Sequence, residues 1–257
     1  MSKFHFNPIP IYNRTINYFP NIETLNLWDA NDPNFGNDIY DITYFPTYKR
    51  NFFQVNIWFE VTFTDYLNVG AISYLSFKNL VVTNKDQKSF KKIRSIEIPQ
   101  NVRKLEEMCF CGNGSIQSVS LPPTVTILGR KSLCSCKSLS IVEMSENIYS
   151  IGESCFFNCD SLTSIKLPNY TIRNLPYRAF ARCIRLKEFT IPKSVTQLGA
   201  DCFNGCVMLK EMNIPSSVVS IGRECFSRCE TLSIVNIPQS VSLIGNGCFS
   251  KCINCSV

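Results

Sequence analysis

A frame that opens at Ile98 opens again at Leu121, Met144, Leu167, Ile191, Ile214 and Ile237, and so regular a period leaves few folds open. One extra residue sits in the Leu167 copy, so the spacings are 23, 23, 23, 24, 23 and 23. One copy reads Ile191-Pro192-x2-Val195-x2-Leu198-Gly199-x2-Cys202-Phe203-x2-Cys206-x2-Leu209-x2-Met212-x-Ile214. A unit this short cannot bury its own apolar side, so it must stack on its neighbours as one coil of a solenoid.

Each position in the copy has a physical reading. Leu232-x-x-Val235-x-Ile237 alternates apolar and polar residues at the period of a strand with one buried face. One such strand per coil, stacked at about 4.8 Å, predicts one parallel sheet along the solenoid. Pro99, Pro122, Pro168, Pro192, Pro215 and Pro238 follow the strand, where a residue without an N–H ends the ladder. Gly129, Gly152, Gly199, Gly222 and Gly245 stand at a corner, where a positive φ is expected. Glu106 and Pro176 take that place in two copies, and a distorted corner is expected there. Phe110, Phe156, Phe180, Phe203, Phe226 and Phe249, with Leu133 in the remaining copy, predict a stacked apolar spine beside short helical turns on the convex side. The fold class is therefore a β-rich α/β solenoid of about seven coils.

All 14 cysteines lie in the repeats. Cys109, Cys155, Cys202, Cys225 and Cys248 precede the aromatic. Cys136, Cys159, Cys183, Cys206, Cys229 and Cys252 stand three residues before the next Leu-type position. Because their spacing follows the coil and not a ligand set, they read as small buried side chains whose S–H can donate to a turn carbonyl. The alternative function class is a thiol-based redox or metal-binding protein. For it, Cys202, Cys206, Cys225 and Cys229 form an all-thiolate set that zinc would accept only if all four sulfurs met at one point. Cys111 and Cys134 sit one residue past the aromatic in adjacent copies. They read as two partly exposed thiols near enough to pair, with the compartment deciding.

Composition excludes several function classes. The single histidine, His5, is the one residue on which a Ser–His or Cys–His nucleophilic site could be built, and no P-loop or dinucleotide fingerprint occurs. The chain is therefore read as non-enzymatic, with no catalytic, cofactor-binding or metal residues and no cofactor. The net charge of +6 is mild, and the cluster Lys85, Lys88, Lys91, Lys92 and Arg94 lacks an aromatic platform, so no nucleic acid is expected as partner. No segment is long and apolar enough to span a bilayer. The stretch from Met1 to Ala30 lacks an apolar leader run, which predicts a cytoplasmic setting.

Residues 1–74 hold 18 of the 31 aromatic residues and no cysteine, and form an aromatic-rich, β-rich N-terminal cap region. Within it, Ile22-x-x-Leu25-x-Leu27 echoes the repeat strand, and Val55-x-Ile57-x-Phe59-x-Val61-x-Phe63 reads as one alternating strand. The solenoid spans 75–257, with 75–97 degenerate, 98–257 regular and the last coil incomplete. Aromatics of this density more often pack a core than line a pocket, although a separate ligand-binding domain is the functional alternative.

The linked pattern I/L-P-x2-V-x2-I/L-G-x2-C-F-x2-C-x2-L-x2-V-x-I-P resembles the BspA-like (treponemal-type) leucine-rich repeat family. The N-terminal Phe4-x-Phe6-Asn7-Pro8-Ile9-Pro10 and Phe19-Pro20-Asn21-Ile22-Glu23-Thr24-Leu25 are similar to its protist members. The resemblance implies a leucine-rich repeat fold, protein binding, and a surface-antigen or cell-adhesion role, with the cell surface as alternative location. A protein partner of unknown identity would lie along the outward side of the sheet. There the candidate stripe is Glu97, Ser120, Glu143, Lys166, Glu188, Thr190, Glu211, Asn213 and Asn236, rich in glutamate and free of Trp, Tyr and Arg, which suits a weak or multivalent contact. The last coil carries no polar cap, so end-to-end self-association through it is expected.

Overall fold

The computed structural model describes residues 23–35, 52–69, 74–88, 90 and 92–255. His5, Lys91 and the N-terminal family-like segment around Phe4 lie outside them. The chain divides into two compact units, Met1–Val81 and Val82–Val257.

In the first unit Thr24–Leu27, Gln54–Ile57 and Leu75–Phe77 form a parallel three-stranded sheet, in register through Leu25, Val55 and Leu75. Leu25, Leu27, Val55, Ile57 and Phe77 are buried beneath it. On its other side Asn56 donates to Asn26 at 2.9 Å, and Trp28 stacks on Trp58 with centroids 5.2 Å apart. A second parallel pair joins Val61–Thr62 to Leu80–Val82 through Val61↔Leu80 and Thr62↔Val81. The alternation from Val55 to Phe63 does not make one strand. The chain leaves the sheet after Ile57, pairs again at Val61–Thr62, and enters a helix at Phe63–Val69. Thr62 caps that helix: its hydroxyl accepts from the Asp65 amide and donates to the Asp65 carboxylate at 2.7 Å. The period-two pattern signals inward-facing residues but carries no such stop, and Thr62-x-x-Asp65 supplies it.

The second unit is built from stacked coils, each making two short strands and not the single one expected. The face strands are Ser95–Glu97, Ser118–Ser120, Ile141–Glu143, Ser164–Ile165, Glu188–Phe189, Glu211–Asn213 and Ile234–Asn236. The corner strands are Val102–Leu105, Ile127–Leu128, Ser150–Ile151, Asn174–Leu175, Gln197–Leu198, Ser220–Ile221 and Leu243–Ile244. All pairings are parallel, and partners are one repeat apart, as in Ser95↔Ser118, Gln197↔Ser220 and Glu211↔Ile234. The corner strand was missed because only its second residue is reliably apolar, too short a pattern to show period two.

The corner glycines do not serve the role expected of them. Gly129, Gly152, Gly199, Gly222 and Gly245 all lack a positive φ. A Cβ at Gly222 would lie 2.4 Å from the Ala200 nitrogen, and one at Gly245 2.3 Å from the Arg223 nitrogen. Glycine is needed because successive backbones approach too closely for a side chain. The corner ladder breaks between Ile151 and Asn174, where Pro176 holds the glycine position and brings no amide to continue the series Gly152 N→Leu128 O, Gly199 N→Leu175 O.

Positive φ appears instead on the turn side, twice in each of the seven coils, two and six residues after the glycine place. In the Ile191 coil the residues are Asp201 and Gly205, and in the Ile214 coil Glu224 and Arg228. Alternate amides there serve different partners. Asp201, Phe203 and Gly205 donate to Arg223, Cys225 and Ser227 of the next coil, while Cys202, Asn204 and Cys206 close tight turns onto Gly199, Asp201 and Phe203. The short helical turns thus take the form of chained turns, because half of their amides are committed to the neighbouring coil. Inside them the rings of Phe156, Phe180, Phe203, Phe226 and Phe249 stack nearly parallel, with centroids 5.3 to 5.6 Å apart.

Candidate binding face

The face strands bury Ile96, Val119, Val142, Ile165, Phe189, Met212 and Val235 and turn the residues on either side outward. Of the predicted stripe, Glu97, Glu143, Lys166, Glu188, Thr190, Glu211, Asn213 and Asn236 are exposed, and Ser120 is half-buried. Some of the side chains form rungs, with Ser118 donating to Ser95 at 2.9 Å and Asn236 donating to Asn213.

The face is not uniform. Its ladder is interrupted between Glu143 and Ser164 and again between Phe189 and Glu211, which leaves Ser164–Ile165 and Glu188–Phe189 as an isolated pair. Across that pair Ser164 stands opposite Glu188, a step one residue longer than elsewhere on the face. The extra residue falls in the turn Asn169 to Thr171, which projects Tyr170 at 75 % exposure. Beside it lies a cleft of about 310 Å³ with Ile165, Leu167 and Phe189 as apolar floor and Ser164, Lys166, Asn169, Glu188 and Thr190 as polar wall. Three predicted stripe residues, Lys166, Glu188 and Thr190, are thereby brought to one depression. The inserted residue was visible in the sequence, whereas its consequence for the face was not.

The cysteines form a hydrogen-bond ladder. Cys136, Cys159, Cys183, Cys206, Cys229 and Cys252 donate to the carbonyls of Phe110, Leu133, Phe156, Phe180, Phe203 and Phe226, at 2.9 to 3.2 Å. In the Ile98 coil, Asn113 fills the same place and its amide donates to Phe90 at 3.3 Å. Burial pushes the thiols of Cys136, Cys155, Cys183 and Cys248 up to about 12. Burial also raises Cys159, Cys206, Cys225 and Cys229 well above the ordinary range. Thiols held protonated are poor nucleophiles and poor metal ligands. Among the described residues no three His, Cys, Asp or Glu side chains converge as a metal site. Cys111 and Cys134 are joined as a disulfide with their Cα atoms 4.7 Å apart. Cys134 is buried, so the pair is not the two partly exposed thiols expected.

The sequence reading also passed over the basic residues of the Leu167 coil, Arg173, Arg178, Arg182, Arg185 and Lys187, because they are spread along the chain. The coil gathers some of them. Arg178 and Arg182 stand with Arg228, Asp201, Asn204 and Glu224 around a second cleft of about 280 Å³ on the turn side.

Parallel coils of near-constant length, each with a Leu-type core, a short face strand and an inward Cys or Asn ladder, define a leucine-rich repeat solenoid. The family model of the BspA type leucine rich repeat region matches residues 60–184, 87–209 and 173–257. The chain belongs to that family. The leucine-rich repeat protein TpLRR of T. pallidum is similar in structure, with 24 % identity, 70 % of this chain and 84 % of that chain covered, and a TM-score of 0.64. A leucine-rich repeat protein from Eubacterium ventriosum is similar at 18 % identity, with 92 % and 77 % covered and a TM-score of 0.59. No curated protein matches the chain.

Proposed function

We propose that the chain is a non-enzymatic protein-binding solenoid of the surface-antigen or adhesion type, whose partner lies on the face strands and is centred on the cleft at Lys166, Glu188 and Thr190. The observation that carries this reading is the cleft itself. It is the place where the repeat is broken by an insertion, and the break opens a polar-walled depression within a row of exposed side chains. Glu97, Glu143, Glu188 and Glu211 give the face an acidic character, so the partner's contact surface is basic and its binding weakens with salt. A pull-down partner is to be measured against a Glu188→Lys, Glu211→Lys variant, with at least a tenfold loss of affinity expected. A partner indifferent to both the substitutions and ionic strength lies elsewhere on the molecule.

The Cys111–Cys134 disulfide supports the cell-surface setting over the cytoplasmic one, since such bonds persist in oxidising compartments. Alkylation of the natively sourced chain, denatured without reductant, then labels the other 12 cysteines. Labelling of all 14 returns the chain to a reducing compartment.

A further inference from the structure

The cleft on the turn side lies beside a place where one coil lacks a side chain. Along the second positive-φ column, after Gly112, stand Ser135, Asn158, Arg182, Gly205, Arg228 and Lys251, with φ of 54°, 61°, 60°, 75°, 60° and 62°. Serine, asparagine, arginine and lysine all occupy this conformation, so the backbone does not require glycine at 205. Space does not require it either: a Cβ there would meet no atom closer than the Arg182 Cγ at 3.6 Å. Gly205 therefore leaves a gap between Arg182 and Arg228, one coil to either side and about 10 Å apart at the spacing of stacked strands.

The charges around the gap are unequally committed. On the opposite wall Arg178 pairs with Asp201 at 3.7 Å and lies over the Tyr177 ring at 4.9 Å. Asn204 donates to Asp201 at 2.7 Å and to Glu224 at 3.5 Å. Asp201, 3 % exposed, is thus held from two sides. Arg182 and Arg228 are exposed and have no ion-pair partner among the described residues. Two free guanidinium forks facing one gap suit a carboxylate, which each can engage through paired N–H groups. The half-buried Glu224 across the gap repels a uniformly anionic chain and favours a cation beside that carboxylate.

We infer that the slot at Gly205 is a second protein-binding site, taking a partner segment in which an acidic side chain stands close to a basic one. Arg182 and Arg228 clamp the acid, and Glu224 receives the base. The site lies on the turns, apart from the face strands, so it adds a second contact to the one proposed above.

The test is a peptide-display selection on the full chain. The enriched peptides are then titrated by fluorescence anisotropy against the native chain, Gly205→Asn, and Arg182→Ser with Arg228→Ser. Asparagine and serine occupy the same place in other coils, so these variants keep the fold, and thermal melts check it. The expected result is enrichment of peptides pairing Asp or Glu with a nearby Lys or Arg, with affinity falling at least tenfold in both variants and unchanged by Glu188→Lys. Peptides unaffected by Gly205→Asn, or no enrichment at all, overturn the site. So does a heparin-like sulfated polysaccharide that binds more tightly than the peptides and is lost in Gly205→Asn, which would assign a polyanion instead.

Discussion

The inward ladder tolerates exchange at the level of single residues. Asn113 and Cys136 occupy equivalent places in adjacent coils and both donate to a backbone carbonyl one coil back, Cys136 to that of the aromatic-place Phe110 and Asn113 to that of Phe90. What that place requires is a small donor, and cysteine meets the need as a largely apolar side chain with one weak S–H. The choice makes stability pH-dependent. Cys136, Cys155 and Cys183 titrate near 12 in the folded chain, against 9.0 when unperturbed, chiefly through burial. Their folded-state values are raised, so the unfolded chain releases protons first as pH rises. The stabilisation is complete below pH 9.0 and is lost between there and about 12. Each such thiol adds a slope of up to about 1.4 kcal/mol per pH unit in that window. Urea midpoints measured at successive pH values should therefore fall once 9.0 is passed, and less steeply in Cys136→Ala than in the native chain. A flat profile would show the thiols to be solvated.

Within one coil, the sequence displayed the face strand, the proline stop and the aromatic spine, because each depends on apolar residues recurring at fixed spacing. Less visible was what depends on backbone proximity. Gly222 looks like any corner glycine in sequence, yet its backbone lies against Ala200 so closely that a methyl would overlap it. Gly222→Ala should destabilise by about 1 to 3 kcal/mol, the range for overpacking a well-filled site. Gly114, with nothing within 4 Å and no positive φ, is the control and should tolerate alanine. If the two variants melt alike, the glycine column is not set by coil contact. The same distinction separates the two parts of the candidate site. The stripe could be read from alternation, whereas both clefts lie beside departures from the repeat: an inserted residue near Asn169 and an absent side chain at Gly205. Their effects depend on neighbours a whole coil away in the sequence.

At the scale of the whole chain, the order of the stack depends on each coil being covered by another. Phe203, Cys206 and Leu209 are fully buried, but in the coil that begins at Ile237 Leu243 is 63 % exposed, Ile244 44 % and Ile253 78 %. The strand Leu243–Ile244 pairs on one side with Ser220–Ile221, and its other edge faces outward beside that apolar surface. Parallel edges of this kind accept another strand, and exposed core favours any coil that covers it. The 257-residue chain should self-associate through this coil, with sedimentation showing larger species as concentration rises. Appending one consensus coil with a polar outer side should raise the melting temperature and return the chain to a monomer. Association that persists after capping would have to come from another surface, and the stacked Trp28–Trp58 pair of the first unit, each ring about two-fifths exposed, is the place to substitute next. A native chain that stays monomeric at high concentration and melts high would show instead that the exposed edge of the Ile237 coil costs little, and that the coils beneath it hold the stack without a cap.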